Sequence, residues 1–135
     1  MAATGGGGTD GGGLRVDLVS VEREIWSGSA REVLARTTEG ELGILPGHTP
    51  LLGQLAEGGT VRVLLSDGGE LVAAVHGGFL SVTDEGVTVL AEIAELADDI
   101  DTGRAQAALE RARSADDMAA VRRAEGRLLA TGHSA

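Results

Sequence analysis

The chain has 135 residues, a formal charge of −10 and 42% apolar side chains, yet Trp26 and Phe79 are its only aromatics. It has no cysteine, which excludes a disulfide scaffold and a thiolate metal site, and no run of about 18 apolar residues that could span a membrane as a helix. The acidic balance argues against a nucleic-acid partner, because phosphate contacts need a basic surface.

Met1 to Gly13 is mostly glycine, without the basic start and apolar stretch of a signal peptide, and is read as a flexible tail of a soluble, cytoplasmic protein. From Leu14 the signals are those of strands. Leu14, Val16 and Leu18 alternate with Arg15 and Asp17; Val61, Val63 and Leu65 repeat the pattern, and Val87 and Val89 follow it after a turn at Asp84-Glu85-Gly86. Turn chemistry recurs at Glu39-Gly40, Glu57-Gly58-Gly59, Asp67-Gly68-Gly69 and Gly77-Gly78. Gly40 to Leu52 packs two prolines and three glycines into an apolar segment that cannot be helical, a rigid corner at Pro46-Gly47 between short buried strands at 42–45 and 51–55. This punctuation predicts a β-sandwich of roughly eight to ten antiparallel strands over residues 14–97.

After Ala91 the strand signal fades. Ala105, Ala108, Leu109 and Ala112 form one narrow helical stripe, with Asp98, Asp99 or Asp101 available as its cap. Ser114-Ala115-Asp116-Asp117 resembles a capping box opening a second helix, whose apolar side is Met118, Val121, Leu128 and Leu129. A two-helix antiparallel hairpin is therefore expected over 98–130, with a disordered tail at 131–135. Its helices are short, its stripe is mostly alanine, and Gly103 and Gly126 each cost up to about 1 kcal/mol relative to alanine, so it should need a docking surface. Charge follows the same division. Residues 1–100 hold 16 acidic against 5 basic side chains, whereas residues 101–135 hold 5 against 6, and every basic residue is arginine.

Catalytic signals are missing. His48 and His76 have no neighbouring ligand set, Ser27 and Ser29 have no nearby base, and the glycine runs lack the lysine of a phosphate loop. His76 reads as a turn or core-edge histidine, and the acidic excess of residues 1–100 as a solvated face.

The run Gly40-Glu41-Leu42-Gly43-Ile44-Leu45-Pro46-Gly47-His48-Thr49-Pro50-Leu51-Leu52, with His76-Gly77-Gly78-Phe79-Leu80-Ser81-Val82 and Val87-Thr88-Val89-Leu90-Ala91, resembles the ε subunit of bacterial F-type ATP synthases. The resemblance covers Leu14 to about Arg127. It implies a sandwich of about ten strands and a C-terminal two-helix hairpin. It also implies a non-catalytic rotor subunit that binds the γ subunit, sits on the c ring, and couples them during proton-driven ATP synthesis. Its hairpin would reach the β subunits and inhibit ATP hydrolysis. The subunit would be peripheral on the cytoplasmic side of the cell membrane, with no direct membrane insertion. Ser20 and His48 match the γ-facing surface, and Arg31, after Trp26-Ser27-Gly28-Ser29-Ala30, matches the loop facing the c ring.

Ile100-Asp101-Thr102-Gly103-Arg104-Ala105 matches the pattern by which some family members bind ATP at the hairpin. The resemblance makes ATP a regulatory ligand and requires no cofactor. Arg104 and Arg111, seven apart, would take phosphate oxygens by forked hydrogen bonds, while Asp101 or Glu95 would accept from the base or ribose. Arg122, Arg123 and Arg127 could add phosphate contacts. Asp101 also reads as a plain N-cap paired with Arg104. A free-standing sandwich protein that senses a small molecule or nucleotide is the alternative reading of the same residues.

Overall fold

The computed structural model describes residues 13–132. The expected tails at 1–13 and 131–135 lie outside this range except at their inner residues. Of these, Thr131 closes the last helix by donating Oγ1–H to the Leu128 carbonyl at 2.9 Å.

Seven strands form the first part: β1 (Leu14–Ser20), β2 (Glu24–Thr37), β3 (Gly40–Ile44), β4 (Leu51–Gln54), β5 (Glu57–Leu65), β6 (Glu70–Thr83) and β7 (Gly86–Leu96). β1 pairs antiparallel with β2 and parallel with β7, so hydrogen bonding runs β1–β7–β6–β5–β2 and back to β1. β3 adds to β2, and β4 adds to β6. The architecture is the expected β-sandwich followed by helices, with one parallel pair among antiparallel ones.

Among the described residues the strands number seven, fewer than the expected eight to ten, because three run through places where the sequence suggests a break. β2 continues across Trp26–Ala30, so the segment expected as a loop is strand. Arg31 is the extra residue of a bulge between Ala30 and Glu32. Gly77-Gly78, expected as a turn, lies inside β6 with φ of 77° and 113°. Before this kink β6 pairs with β5, and after it with β4. β7 runs on past Ala91 to Leu96, held by pairing to β6 as far as Ala73.

Inside the ring sits an aliphatic core to which the alternating strands contribute Val16 and Leu18, Val33 and Ala35, Val61 and Val63, and Val87 and Val89. The strands flanking Pro46-Gly47 are only half buried. Ile44 and Leu55 point inward, while Leu45 and Leu52 are exposed, as period-two alternation on a one-sided strand requires.

A 3₁₀ turn (Ala97–Asp99) leads to α1 (Thr102–Ser114) and α2 (Met118–Ala130), joined by three residues. Asp101 and Asp117 are the N-caps, each accepting from the backbone N–H three residues on at 3.1 Å. The start of α2 is thus a single aspartate cap and not a Ser114 capping box; Ser114 is still helical. Ala105, Leu109 and Ala112 of α1 pack with Val121, Ala124 and Leu128 of α2 as a core of their own. Met118 and Leu129, expected on the apolar side, are exposed, because the buried arc of α2 instead includes Gly126 and Ala130. α2 lies on β5 and β6, and α1 lies on α2.

Candidate functional site

A cleft of about 290 Å³ opens where the end of β7, the 3₁₀ turn and both helices meet. Glu95, Ile100, Asp101, Arg104, Ala105 and Arg111 all line it, so the structure brings together the four residues of the helix-start motif with Glu95 and Arg111. Arg104 and Arg111 fall on one side of α1 because seven residues are nearly two turns. Asp101 spends Oδ1 on the Arg104 N–H as N-cap. Asp99 and Arg127 complete the polar lining. Among the described residues no cluster of histidine, cysteine and carboxylates could hold a metal ion.

Arg127, one of the three arginines expected to add phosphate contacts, has a specific place. Its Nε donates to Glu95 Oε1 at 2.6 Å. The same oxygen lies 3.3 Å from His76 Nε2, which must carry the hydrogen because a carboxylate only accepts. His76 is buried in β6, and its Nδ1 has no hydrogen-bond partner. The His76 hydrogen bond, with the Arg127 hydrogen bond and charge behind it, draws the Glu95 carboxyl from 4.5 down to about 2, against the opposing effect of burial. His76 is therefore no turn residue: it braces the carboxylate that ties the hairpin to the sandwich. Nothing local in the sequence marks it, since Glu95 lies nineteen residues away and meets it only through the β6–β7 register.

A second tie runs from Arg123 to Glu57 of β5 at 3.6 Å. Part of the acidic excess of the first hundred residues is thus not a solvated face. It pairs with the arginines of the chain's own hairpin.

The other three candidates stand apart from the cleft. Ser20 is buried: its Oγ donates to the Arg23 carbonyl and accepts from the Glu22 and Arg23 amides, holding the β1–β2 turn. The exposed residue there is its neighbour Val21. His48 lies in the β3–β4 loop beside the Asp84-Glu85-Gly86 turn, with Nδ1 2.7 Å from the Thr49 carbonyl. Arg31 is exposed and donates Nε–H to the Leu65 carbonyl at 3.0 Å.

Sequence reasoning passed over one surface. Phe79 pairs with Leu90 across β6–β7 and with Gln54 across β4–β6, so Leu52, Phe79 and Leu90 share one face. All three are exposed, and Val21 borders a shallow depression lined by Phe79 and Leu90. Leu80 and Val82 are buried, so period-two alternation turns Phe79 outward, and that alternation was the available signal.

Residues 13–97 match the family model described as ATP synthase, Delta/Epsilon chain, beta-sandwich domain. The chain is similar to the ATP synthase epsilon chain of Rhodococcus opacus (strain B4), 58% identical over 87% of this chain and 94% of that one. It is 56% identical, over the same shares, to the ATP synthase epsilon chain of Streptomyces griseus. Among solved structures it is similar to a chain of the Euglena gracilis mitochondrial ATP synthase OSCP/F1/c-ring assembly, with TM-score 0.70 and 29% identity over 87% of this chain and 76% of that chain. A chain of the Tetrahymena thermophila mitochondrial ATP synthase central stalk and c-ring shares the fold at TM-score 0.54, with 17% identity over 70% of each chain.

Proposed function

The chain belongs to the ATP synthase epsilon-chain family, and from this we propose that it is a non-catalytic rotor subunit that seats the γ subunit on the c ring. It turns with them during proton-driven ATP synthesis and restrains ATP hydrolysis through its hairpin. No helix among the described residues is long and apolar enough to cross a membrane. The subunit would then be held at the cytoplasmic side of the membrane by its partners. The observation that carries the contact role is the exposed face of Val21, Leu52, Phe79 and Leu90 on a folded sandwich. Burying such a face against the γ subunit removes apolar area from water. The test is assembly. A Phe79→Asp variant is expected to stay folded, because the ring already faces solvent, but to be lost from the purified ATP synthase. Retention of the variant at parental stoichiometry would overturn the use of this face.

The cleft supports the regulatory half of the reading. Three arginines, Arg104, Arg111 and Arg127, line one opening, and a nucleoside triphosphate would be held by α1 and α2 together. A ligand that touches both helices and the end of β7 favours the docked hairpin by its differential affinity for that state. Calorimetric titration with ATP is expected to give saturable heat with the parent, and at least about tenfold weaker binding with Arg104→Ala, the worth of one charge-assisted phosphate contact. Heat that persists unchanged in the variant would remove the cleft as the site.

A further inference from the structure

Gly126 is buried in the middle of α2, where glycine is the poorest helix former short of proline. Its neighbour across the gap is Gly58, the extra residue of the bulge at the start of β5, with φ of 74°. The approach is backbone on backbone. A methyl at Gly126 would overlap the Gly58 carbonyl oxygen and lie 2.7 Å from its carbon. A methyl at Gly58 would overlap the Arg122 carbonyl, one helical turn before Gly126. Such overlaps are with main chain, which cannot swing aside as a flexible side chain does.

We propose that Gly58 and Gly126 form a seat that holds the hairpin in its compact position, and that a single methyl there releases the arm while leaving both halves folded. The separation follows from the packing. The sandwich core and the core between α1 and α2 are distinct clusters, and neither includes the two glycines. The ties of Arg127 to Glu95 and Arg123 to Glu57 lie on the same helix, within four residues of Gly126. Lifting α2 there draws both beyond reach. The seat rests on geometry alone; its regulatory consequence rests on the reading of the hairpin as a movable arm.

The substitution has opposite effects on two steps, which makes it diagnostic. Gly126→Ala strengthens α2 as a helix and removes its landing place. Gly103→Ala gives α1 the same gain, but a methyl there meets only Asp101 Oδ1 at 3.4 Å, so docking should not change. In the full chain, which has no cysteine, spin labels on cysteines replacing Glu22 and Gln106 report the distance from sandwich to hairpin. The parent and Gly103→Ala are expected to give one narrow distance. Gly126→Ala should give a broad, mainly longer distribution with helical content retained and Trp26 emission unchanged. Gly58→Asn, which tolerates the left-handed backbone but still overlaps Arg122, should release the arm from the other side. An unchanged distance in Gly126→Ala, an equal shift in Gly103→Ala, or loss of the native Trp26 signal in Gly126→Ala and Gly58→Asn would each overturn the proposal. Release without any change in ATP hydrolysis by the assembled ATP synthase would leave the seat standing and overturn the regulatory reading.

Discussion

Gly78→Ala is expected to unfold the sandwich domain at temperatures where the parent is stable. Two effects add at this residue. Its φ of 113° is a conformation that L side chains rarely adopt, and holding alanine there costs about 1–3 kcal/mol. A methyl would also overlap the Leu90 carbonyl oxygen and sit 2.7 Å from the Ala91 Cα on β7, and forcing extra volume into a packed site costs about 1–3 kcal/mol more. The Gly78 carbonyl in addition accepts from the Leu55 N–H at 2.9 Å, so a shift of β6 to relieve the overlap breaks that bond too. A total of about 2–6 kcal/mol is a large part of the 5–15 kcal/mol that holds a domain together. At about 4–8 °C per kcal/mol, melting should fall by well over 10 °C. Gly47→Ala separates the two causes. Its φ is 86°, but a methyl there meets nothing within 4 Å, so only the backbone strain remains and melting should fall by about half as much. Thermal scans following Trp26 emission and far-ultraviolet circular dichroism read both variants. Equal losses would show that the β7 collision adds nothing.

The same glycine marks the border between what local pattern reveals and what pairing decides. Period-two alternation is written into consecutive residues, so β1, β5 and β7 were legible, as were the turns at Glu39-Gly40, Asp67-Gly68-Gly69 and Asp84-Glu85-Gly86. The helical stripe of Ala105, Ala108, Leu109 and Ala112 was legible for the same reason: three of its members are buried and Ala108 packs against them. Gly77-Gly78 has the composition of a turn, and only the exchange of partners from β5 to β4 makes it a kink within a continuous strand. The parallel pairing of Val16–Ser20 with Val87–Ala91 joins segments about seventy residues apart, and no local pattern encodes it.

The candidate cleft divides along the same line. Ile100, Asp101, Arg104, Ala105 and Arg111 lie within twelve consecutive residues, so helix geometry alone places them near one another. The sequence joined Glu95 to this group as an acceptor and offered Arg127, with Arg122 and Arg123, as a phosphate contact, but it gave no sign of His76 or of the Arg127–Glu95 pair. His76 reaches the carboxylate through β-sheet register, and Arg127 through docking of α2. The role of Gly126 was hidden likewise. Read along the helix it is a defect, and only the bulge at Gly58 gives it a purpose.

Loss of the Glu95 carboxylate is expected to unclasp the hairpin. In Glu95→Ala, Arg127 and the buried Nε2 of His76 lose their shared partner at one stroke. The unpaired His76 costs the sandwich about 1–3 kcal/mol whether or not the hairpin is docked, so docking itself loses only the Arg127 tie and should weaken by on the order of 1–2 kcal/mol. Amide exchange in α2 would then speed by about tenfold, while the sandwich interior stays protected. Acid should act on the parent in the same direction. The carboxyl titrates at about 2 in the folded chain against an ordinary 4.5. A depressed carboxylate adds stability that is fully present above 4.5 and drains away as pH falls toward 2. The full difference corresponds to about 3 kcal/mol, but its largest cause is the His76 hydrogen bond inside the sandwich, so the Arg127 share that couples to docking, for a carboxylate one-third exposed, is on the order of 1 kcal/mol. Glu95→Gln keeps the shape and can still accept from Arg127, but it has no charge to lose. The measurement is the gap in hairpin protection between parent and Glu95→Gln from pH 7 to pH 2.5. Other carboxylates titrate equally in both, so they cancel. The gap should be widest at neutral pH and should narrow steadily between pH 4.5 and 2.5. A gap that stays constant across that range would mean that the charge of Glu95 is not what holds Arg127, and that the clasp works by hydrogen-bond geometry alone.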